Sequence, residues 1–67
     1  MEIFAERLKE LRIERGLSQS ELARRTGLSR IAINHWEHCN RVPMAIAIII
    51  LAKFFGVSAD YLLGLED

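Results

Sequence analysis

The sequence has a single cysteine, Cys39, so a disulfide within the chain is excluded. It has only one proline, and no segment alternates apolar and polar residues for long enough to predict a strand. An excess of charge of one sign is also missing, because nine Lys and Arg residues balance nine Asp and Glu residues. Such a neutral chain has no overall field that attracts nucleic acid, so a nucleic-acid function would depend on where the charges lie.

Long apolar runs are missing as well. The longest extends from Met44 to Ala52, less than half of the roughly 20 residues that a membrane span needs. The N-terminus does not have the pattern of a secretory signal, so we expect a cytoplasmic protein with no membrane partner. With 51% apolar residues, a chain of 67 residues can form one small core, which predicts a single domain over residues 1–67.

Helical spacing and helix-ending residues predict five helices and an all-α fold. The first ends at Gly16, a residue that adopts the left-handed conformation that ends helices. A long fourth segment begins at Pro43 and continues through Phe55. The last helix lies between a capping serine, Ser58, and Gly64.

The second and third helices are short and are predicted at about residues 19–25 and 30–37. Gly27 lies in the turn between them, where a positive φ is needed. The small side chain of Ala23 allows close approach of the second short helix, which has Ile33 on its inner face. Two short helices joined in this way form a helix-turn-helix, whose second helix fits the major groove of DNA.

Several blocks of residues follow one another along nearly the whole chain. They are Gly16-Leu17-Ser18-Gln19-x-Glu21-Leu22-Ala23, Gly27-Leu28-Ser29-Arg30, Ile33, Trp36-Glu37, Arg41-x-Pro43 and Gly56-Val57-Ser58-x-Asp60-Tyr61-Leu62-Leu63-Gly64. Together these blocks resemble the Cro/repressor-type (XRE-like) helix-turn-helix regulators. The resemblance implies a compact five-helix, lambda-repressor-like domain that binds operator DNA, commonly as a homodimer, to regulate transcription as a repressor does.

The resemblance also implies which residues contact DNA. The expected base-reading residues are Arg30, Ile31, Asn34 and His35. The expected phosphate-contacting and positioning residues are Gln19, Ser29 and Arg41. These side-chain types suit the roles, because arginine bonds guanine, asparagine pairs with adenine and isoleucine packs on the thymine methyl group. Residues 16–42 also carry four arginines against two glutamates, so this part of the neutral chain is positive.

The family pattern further implies an ion pair between Arg12 in the first helix and Glu37 after the tryptophan. The chain departs from the pattern at two positions. Cys39 stands where the family usually has glycine, so the loop and its phosphate contacts are expected to differ. Met44 stands where serine or threonine is common, so the fourth helix is expected to lack a side-chain cap.

Metal binding and catalysis are two alternatives to DNA binding. His35, His38 and Cys39 are residue types that bind zinc, but a closed zinc site needs four ligands and no fourth is evident. The serines are placed as helix caps, and no nucleophile has a positioned base. We therefore expect no metal, no cofactor, no small-molecule substrate and no enzymatic activity.

The fourth helix is apolar on all sides, which is typical of a helix buried on two faces. Its predicted core stripe is Ala45, Ile48, Leu51, Ala52 and Phe55. A second stripe, Ile46, Ile50 and Phe54, is predicted as the interface of a homodimer. The rival interpretation is a helix-turn-helix-fold protein-interaction module or an antitoxin-like partner protein, in which this stripe binds a different protein.

Overall fold

The structure, a computed structural model, describes residues 2–66 of the chain. Within that part it contains helices and no strands, which confirms the all-α prediction. The five helices are α1 (Glu2–Glu14), α2 (Gln19–Thr26), α3 (Arg30–Glu37), α4 (Ala45–Phe55) and α5 (Ala59–Leu63). In residues 2–66, none of the helices has the length and apolar character needed to cross a membrane.

A single core joins all five helices. Every helix contributes at least one fully buried side chain, and together these are Phe4, Leu8, Leu22, Ile33, Leu51 and Leu62. The ring of Trp36 packs edge-on against Phe4, with the ring centroids 6.3 Å apart. Because helices this short are unstable alone, this shared core is what holds α2 and α3 in place.

Side-chain caps fix where the two short helices begin. The Ser18 hydroxyl accepts a hydrogen bond from the Glu21 amide at 3.0 Å, and the Glu21 carboxylate accepts one from the Ser18 amide at 3.0 Å. The bond from the Ser18 backbone, followed by that from its side chain, lowers the pKa of Glu21 below its ordinary value. At the start of α3, the Ser29 hydroxyl accepts from the Ala32 amide at 3.2 Å.

The fourth helix differs from the predicted core stripe at its first turn. Ala45 is exposed, whereas Ala47 is buried beside Leu51. The prediction for Ala45 was wrong because α4 has a single polar residue, Lys53, two turns away from Ala45. The exposed positions Ala45, Ile49 and Lys53 follow one another at a spacing of four residues, so Lys53 was the signal for the exposed side. Met44 precedes this helix without a side-chain capping bond, as expected from the absence of a serine or threonine there.

Candidate nucleic-acid interface

The turn between α2 and α3 sets the direction in which α3 leaves. Gly27 has a φ of 76°, and its amide donates to the Ala23 carbonyl at 2.9 Å. The Thr26 hydroxyl donates to the Leu22 carbonyl at 2.7 Å and accepts from the Leu28 amide at 3.3 Å. These local bonds close α2 and hold the tight turn of a helix-turn-helix.

The outward side of α3 contains most of the predicted base-reading residues. Its inward side is fixed by the buried Ile33 and Trp36. On the opposite side Arg30 is exposed, Ile31 is 56% exposed and Asn34 is half-buried. The structure therefore places these three predicted residues on one continuous surface, which we call the α3 face.

His35 has a different environment from those three residues. Its side chain is half-buried, and its Nδ1 atom is enclosed without a hydrogen-bond partner. This places His35 at the edge of the α3 face, with less of its ring presented to a ligand.

The predicted phosphate-contacting residues flank the α3 face. The Ser29 oxygen is the acceptor in its capping bond, so its own hydroxyl hydrogen can still be donated outward. Gln19 is the first residue of α2 and is half-buried. Arg41 is exposed in the segment that follows α3.

The predicted ion pair between Arg12 and Glu37 is present and lies beneath this surface. Arg12 binds both carboxylate oxygens, with Nε–Oε2 at 2.7 Å and Nη2–Oε1 at 2.9 Å. Its Nη1 also donates to the Leu17 carbonyl at 2.8 Å. The side chains are only 13% and 2% exposed, and the hydrogen bonds to Glu37 raise the pKa of Arg12 above its ordinary value.

Two amide side chains extend this ion pair to the α3 face. Gln19 donates from Nε2 to Glu37 Oε1 at 3.1 Å. Asn34 donates from Nδ2 to Gln19 Oε1 at 3.1 Å. A residue predicted to position phosphate and a residue predicted to read a base are therefore hydrogen-bonded to each other.

The segment after α3 keeps a conformation that usually requires glycine. Cys39 has a φ of 60°, the one positive φ of a residue other than glycine within residues 2–66. The Asn40 amide donates to the His35 carbonyl at 2.8 Å and the Cys39 amide to the Trp36 carbonyl at 3.3 Å, as in a Schellman motif. The backbone at Cys39 thus takes the left-handed conformation usual for a glycine there.

His38 is a candidate DNA contact that the sequence interpretation missed. It is exposed, and its Nδ1 lies 2.8 Å from the Asn34 carbonyl oxygen. A carbonyl can only accept, so Nδ1 is the donor and Nε2 is left for an external group. Its spacing of four residues from Asn34 was the available signal, although His38 itself lies just beyond the end of α3.

Exposed arginines lie on both helices of the helix-turn-helix and in the segment after it. Arg30 is at the start of α3, Arg24 and Arg25 are in the last turn of α2, and Arg41 follows α3. Glu37 is paired with Arg12, and the charge of Glu21 is offset in part by Arg24 and Arg25. Residues 19–41 therefore present more unpaired positive than negative charge, although the whole chain has no net charge.

Known proteins are similar to this chain in sequence and in fold. Residues 8–62 match a family described as helix-turn-helix. The uncharacterised HTH-type transcriptional regulator YobD of Bacillus subtilis is 32% identical over 97% of this chain and 58% of its own length. The HTH-type transcriptional activator BcrR of Enterococcus faecalis is 38% identical over 96% of this chain and 31% of its own length. The chain thus spans less than two thirds of these relatives.

A solved structure matches over almost its whole length. The crystal structure of the restriction-modification controller protein C.AhdI from Aeromonas hydrophila superimposes with a TM-score of 0.82 at 34% sequence identity. The match covers 91% of this chain and 92% of that one. With its motif, its fold and its family match in agreement, the chain belongs to the XRE-type helix-turn-helix family of DNA-binding transcriptional regulators.

Proposed function

We propose that this chain regulates transcription by binding a specific operator sequence, with α3 in the major groove and with two copies on one site. The observation that carries the proposal is the α3 face itself. It presents a cation, an apolar side chain and an amide on one surface, and further exposed arginines lie in α2 and in the segment after α3. Such a surface can bind the phosphate backbone and also distinguish base edges.

Each residue of the α3 face has a chemical counterpart in the groove. Arg30 would bond the O6 and N7 atoms of guanine, Ile31 would pack on a thymine methyl group, and Asn34 would pair with adenine. His35 would contact the groove from the edge of this face. These contacts determine the sequence preference.

The phosphate contacts determine where the protein sits on the duplex. Gln19 and Ser29 lie at the starts of α2 and α3, and each has a hydrogen left to donate to a phosphate oxygen. Arg41 would contact the backbone beyond α3. Contacts of this kind fix register and orientation without selecting a base.

The proposed dimer uses an apolar surface at the start of α4, which we call the α4 face. It consists of the exposed side chains Val42, Met44, Ile46 and Ile49. The Met44 side chain is 72% exposed and makes no capping bond, so it contributes little to the stability of its own domain. Burial against a second copy would give these side chains a stabilising role, since each fully buried isoleucine is worth roughly 1.5–3 kcal/mol.

The other predicted interface residues lie deeper than Ile46. Ile50 is half-buried, and Phe54 packs against the core and edge-on against Phe55. The guanidinium of Arg15 also lies 5.6 Å from the Phe54 ring centroid. We therefore centre the proposed interface on Ile46, with Ile50 and Phe54 at its inner edge.

A second copy is the occupant that fits the proposed function. A twofold dimer presents two α3 helices, which read two half-sites about 34 Å apart on one face of the duplex. An interaction module would instead use the α4 face for a different protein and would need no intact α3 face.

The proposal is tested by selecting bound sequences from a pool of random duplexes. We expect a palindromic site to be enriched, and Arg30→Ala to cost about 1–3 kcal/mol on that site with a relaxed preference at one base pair. Arg41→Ala is the matched control, since it should weaken selected and unselected duplexes alike. If no sequence were enriched, the interaction module would be favoured. If Arg30→Ala weakened all duplexes alike and Arg41→Ala relaxed the preference at one base pair, the assigned roles would be contradicted.

A further inference from the structure

Resting on the proposed function, we propose that the buried Arg12–Glu37 pair determines which base Asn34 reads. The influence passes through Gln19, and we call the four hydrogen-bonded residues the relay. Arg12 and Glu37 would touch no nucleotide, so they are positioning residues for specificity. The argument depends on which groups in the relay can donate and which can only accept.

The inner end of the relay is fixed in direction by charge. A guanidinium has only donors, and an ionised carboxylate has only acceptors. Arg12 holds both oxygens of Glu37, at 2.7 and 2.9 Å. Gln19 can therefore meet this carboxylate only with its NH2 group, which it does at 3.1 Å.

This constraint is transmitted to the α3 face. Because its NH2 group points toward Glu37, Gln19 presents Oε1 to Asn34. Asn34 donates a hydrogen bond from Nδ2 to this oxygen at 3.1 Å. Asn34 then has one N–H and its Oδ1 left for DNA. That is the donor and acceptor pair that matches N7 and N6 of adenine.

The relay also leaves Gln19 able to contact phosphate. Its NH2 group has two hydrogens, of which one is donated to Glu37. The second can reach a phosphate oxygen while Oε1 still holds Asn34. Gln19 thus couples the position of the DNA backbone to the orientation of the Asn34 side-chain amide.

Removing the charge at position 37 should reverse the relay. In Glu37→Gln, an NH2 group replaces one of the two oxygens that Arg12 holds. We expect the carboxamide oxygen to take the Oε2 position, because an NH2 group there would face Arg12 Nε at 2.7 Å. At the Oε1 position the NH2 group is farther from Arg12, whose Nη2 lies at 2.9 Å, and it can donate to Gln19. Gln19 then accepts at Oε1 and donates from Nε2 to Oδ1 of Asn34. Asn34 now presents mainly N–H groups outward, which match the O6 and N7 acceptors of guanine.

The first experiment compares the sequences selected by the wild-type protein and by Glu37→Gln. We expect the preference for adenine over guanine to fall by about tenfold at one base pair of each half-site, with the other positions unchanged. A merely structural role for Glu37 would weaken binding at all positions and leave the base preferences intact. Intact binding by the variant with an unchanged preference would overturn the inference.

The second experiment needs no DNA, so it separates failure of the inference from failure of the proposed function. Asn34→Asp places a carboxylate opposite Gln19 Oε1, where nothing can donate, so we expect it to destabilise the protein. In the Glu37→Gln background, the reversed Gln19 donates from Nε2 to the new carboxylate. The factor by which Asn34→Asp lowers the folding equilibrium constant is measured by urea titration in both backgrounds. It should be about tenfold smaller with Glu37→Gln than in the wild-type protein.

Direct repulsion between the carboxylates at positions 34 and 37 would also make Asn34→Asp less destabilising in the Glu37→Gln background. A control must therefore separate this repulsion from the relay. The same double-mutant cycle is measured with Gln19→Ala, which interrupts the relay and keeps both charges. We expect the coupling to disappear in this background. Coupling that persists without Gln19, or that is absent in the original cycle, would overturn the relay.

Discussion

At the scale of single residues, Cys39 holds a backbone conformation that suits glycine better. Its φ of 60° costs a residue with a Cβ roughly 1–2 kcal/mol. Glycine relieves that strain. It also raises the conformational entropy of the unfolded chain, and this cancels about 0.4–1 kcal/mol of the gain. We expect Cys39→Gly to raise the free energy of unfolding by about 0.5–1 kcal/mol, measured by urea titration.

The matched control for this effect is Cys39→Ala, which removes the thiol and keeps the strain. It should leave stability unchanged or lower. If alanine stabilised the chain as much as glycine does, the thiol would be responsible and not the backbone angle.

The ion pair under the α3 face should be important for stability. Glu37→Ala removes a carboxylate whose side chain is 2% exposed and leaves Arg12 with the Leu17 carbonyl as its remaining partner. Breaking a buried pair by deleting one partner costs about 3–5 kcal/mol. We expect a loss near the lower end of this range, seen as a large fall in Tm.

Glu14→Ala on the same helix as Arg12 provides the control, because Glu14 is exposed at the end of α1. Its Tm should change little. Equal Tm values for the two variants would mean that the Arg12–Glu37 pair does not stabilise the fold in solution.

At the scale of the elements, the C-terminal end of α5 is packed tightly against the start of α1. Gly64 has a φ of 80°, and a Cβ built there would lie 2.9 Å from Cγ2 of Ile3. Gly27 has a similar φ of 76°, but a Cβ there would meet nothing within 4 Å. We expect Gly27→Ala to cost about 1–2 kcal/mol and Gly64→Ala to cost at least about 1 kcal/mol more.

The extra cost at Gly64 has a specific origin that can be removed. An Ile3→Ala background removes the Cγ2 and Cδ1 atoms at 2.9 and 3.1 Å and keeps only Cβ at 3.3 Å. The difference between the two glycine substitutions should therefore become much smaller in urea titrations. A difference that stayed undiminished in this background would show that the contact with Ile3 is not its source.

The sequence predicted helix ends better than helix orientation. Ser58 and Gly64 enclose α5 as observed, because a cap and a left-handed glycine are local features. The orientation of α4 was predicted less well, since a single polar residue, Lys53, marks its exposed side. How α4 packs against α2 and α5 decides that Ala47 is buried and Ala45 is not.

The candidate site was predicted in its parts but not in its connections. Arg30, Ile31 and Asn34 follow from their position in the motif. The hydrogen bond between Asn34 and Gln19 joins two helices, and no residue pattern within either helix indicates it. The prediction that α3 ends at residue 37 is confirmed, but it did not indicate that the His38 ring turns back to the Asn34 carbonyl oxygen.

At the scale of the whole molecule, the α4 face predicts self-association. Ile46→Glu combined with Ile49→Lys should give a folded monomer, because both side chains are exposed and the buried side of α4 is unchanged. Sedimentation at micromolar concentration should show a dimer for wild type and a monomer for the variant. The variant should also bind the operator more weakly than wild type.

Ile13→Glu is a close control for this experiment. Ile13 on α1 is 57% exposed, and Ile46 is 58% exposed, so both substitutions remove the same kind of apolar surface. The Ile13 variant should remain a dimer. A monomeric wild-type protein, or loss of the dimer in both variants, would contradict the proposed interface.

The most direct test of the account is the salt dependence of binding to the selected duplex. A protein that contacts several phosphates loses affinity linearly with the logarithm of salt concentration, with a slope of about −0.9 for each cation–phosphate contact. We expect a clear negative slope for wild type, and a slope less steep by about 1 per subunit for Arg41→Ala. A slope near zero, with no preference for the selected duplex over a scrambled one, would contradict DNA binding through the α3 face.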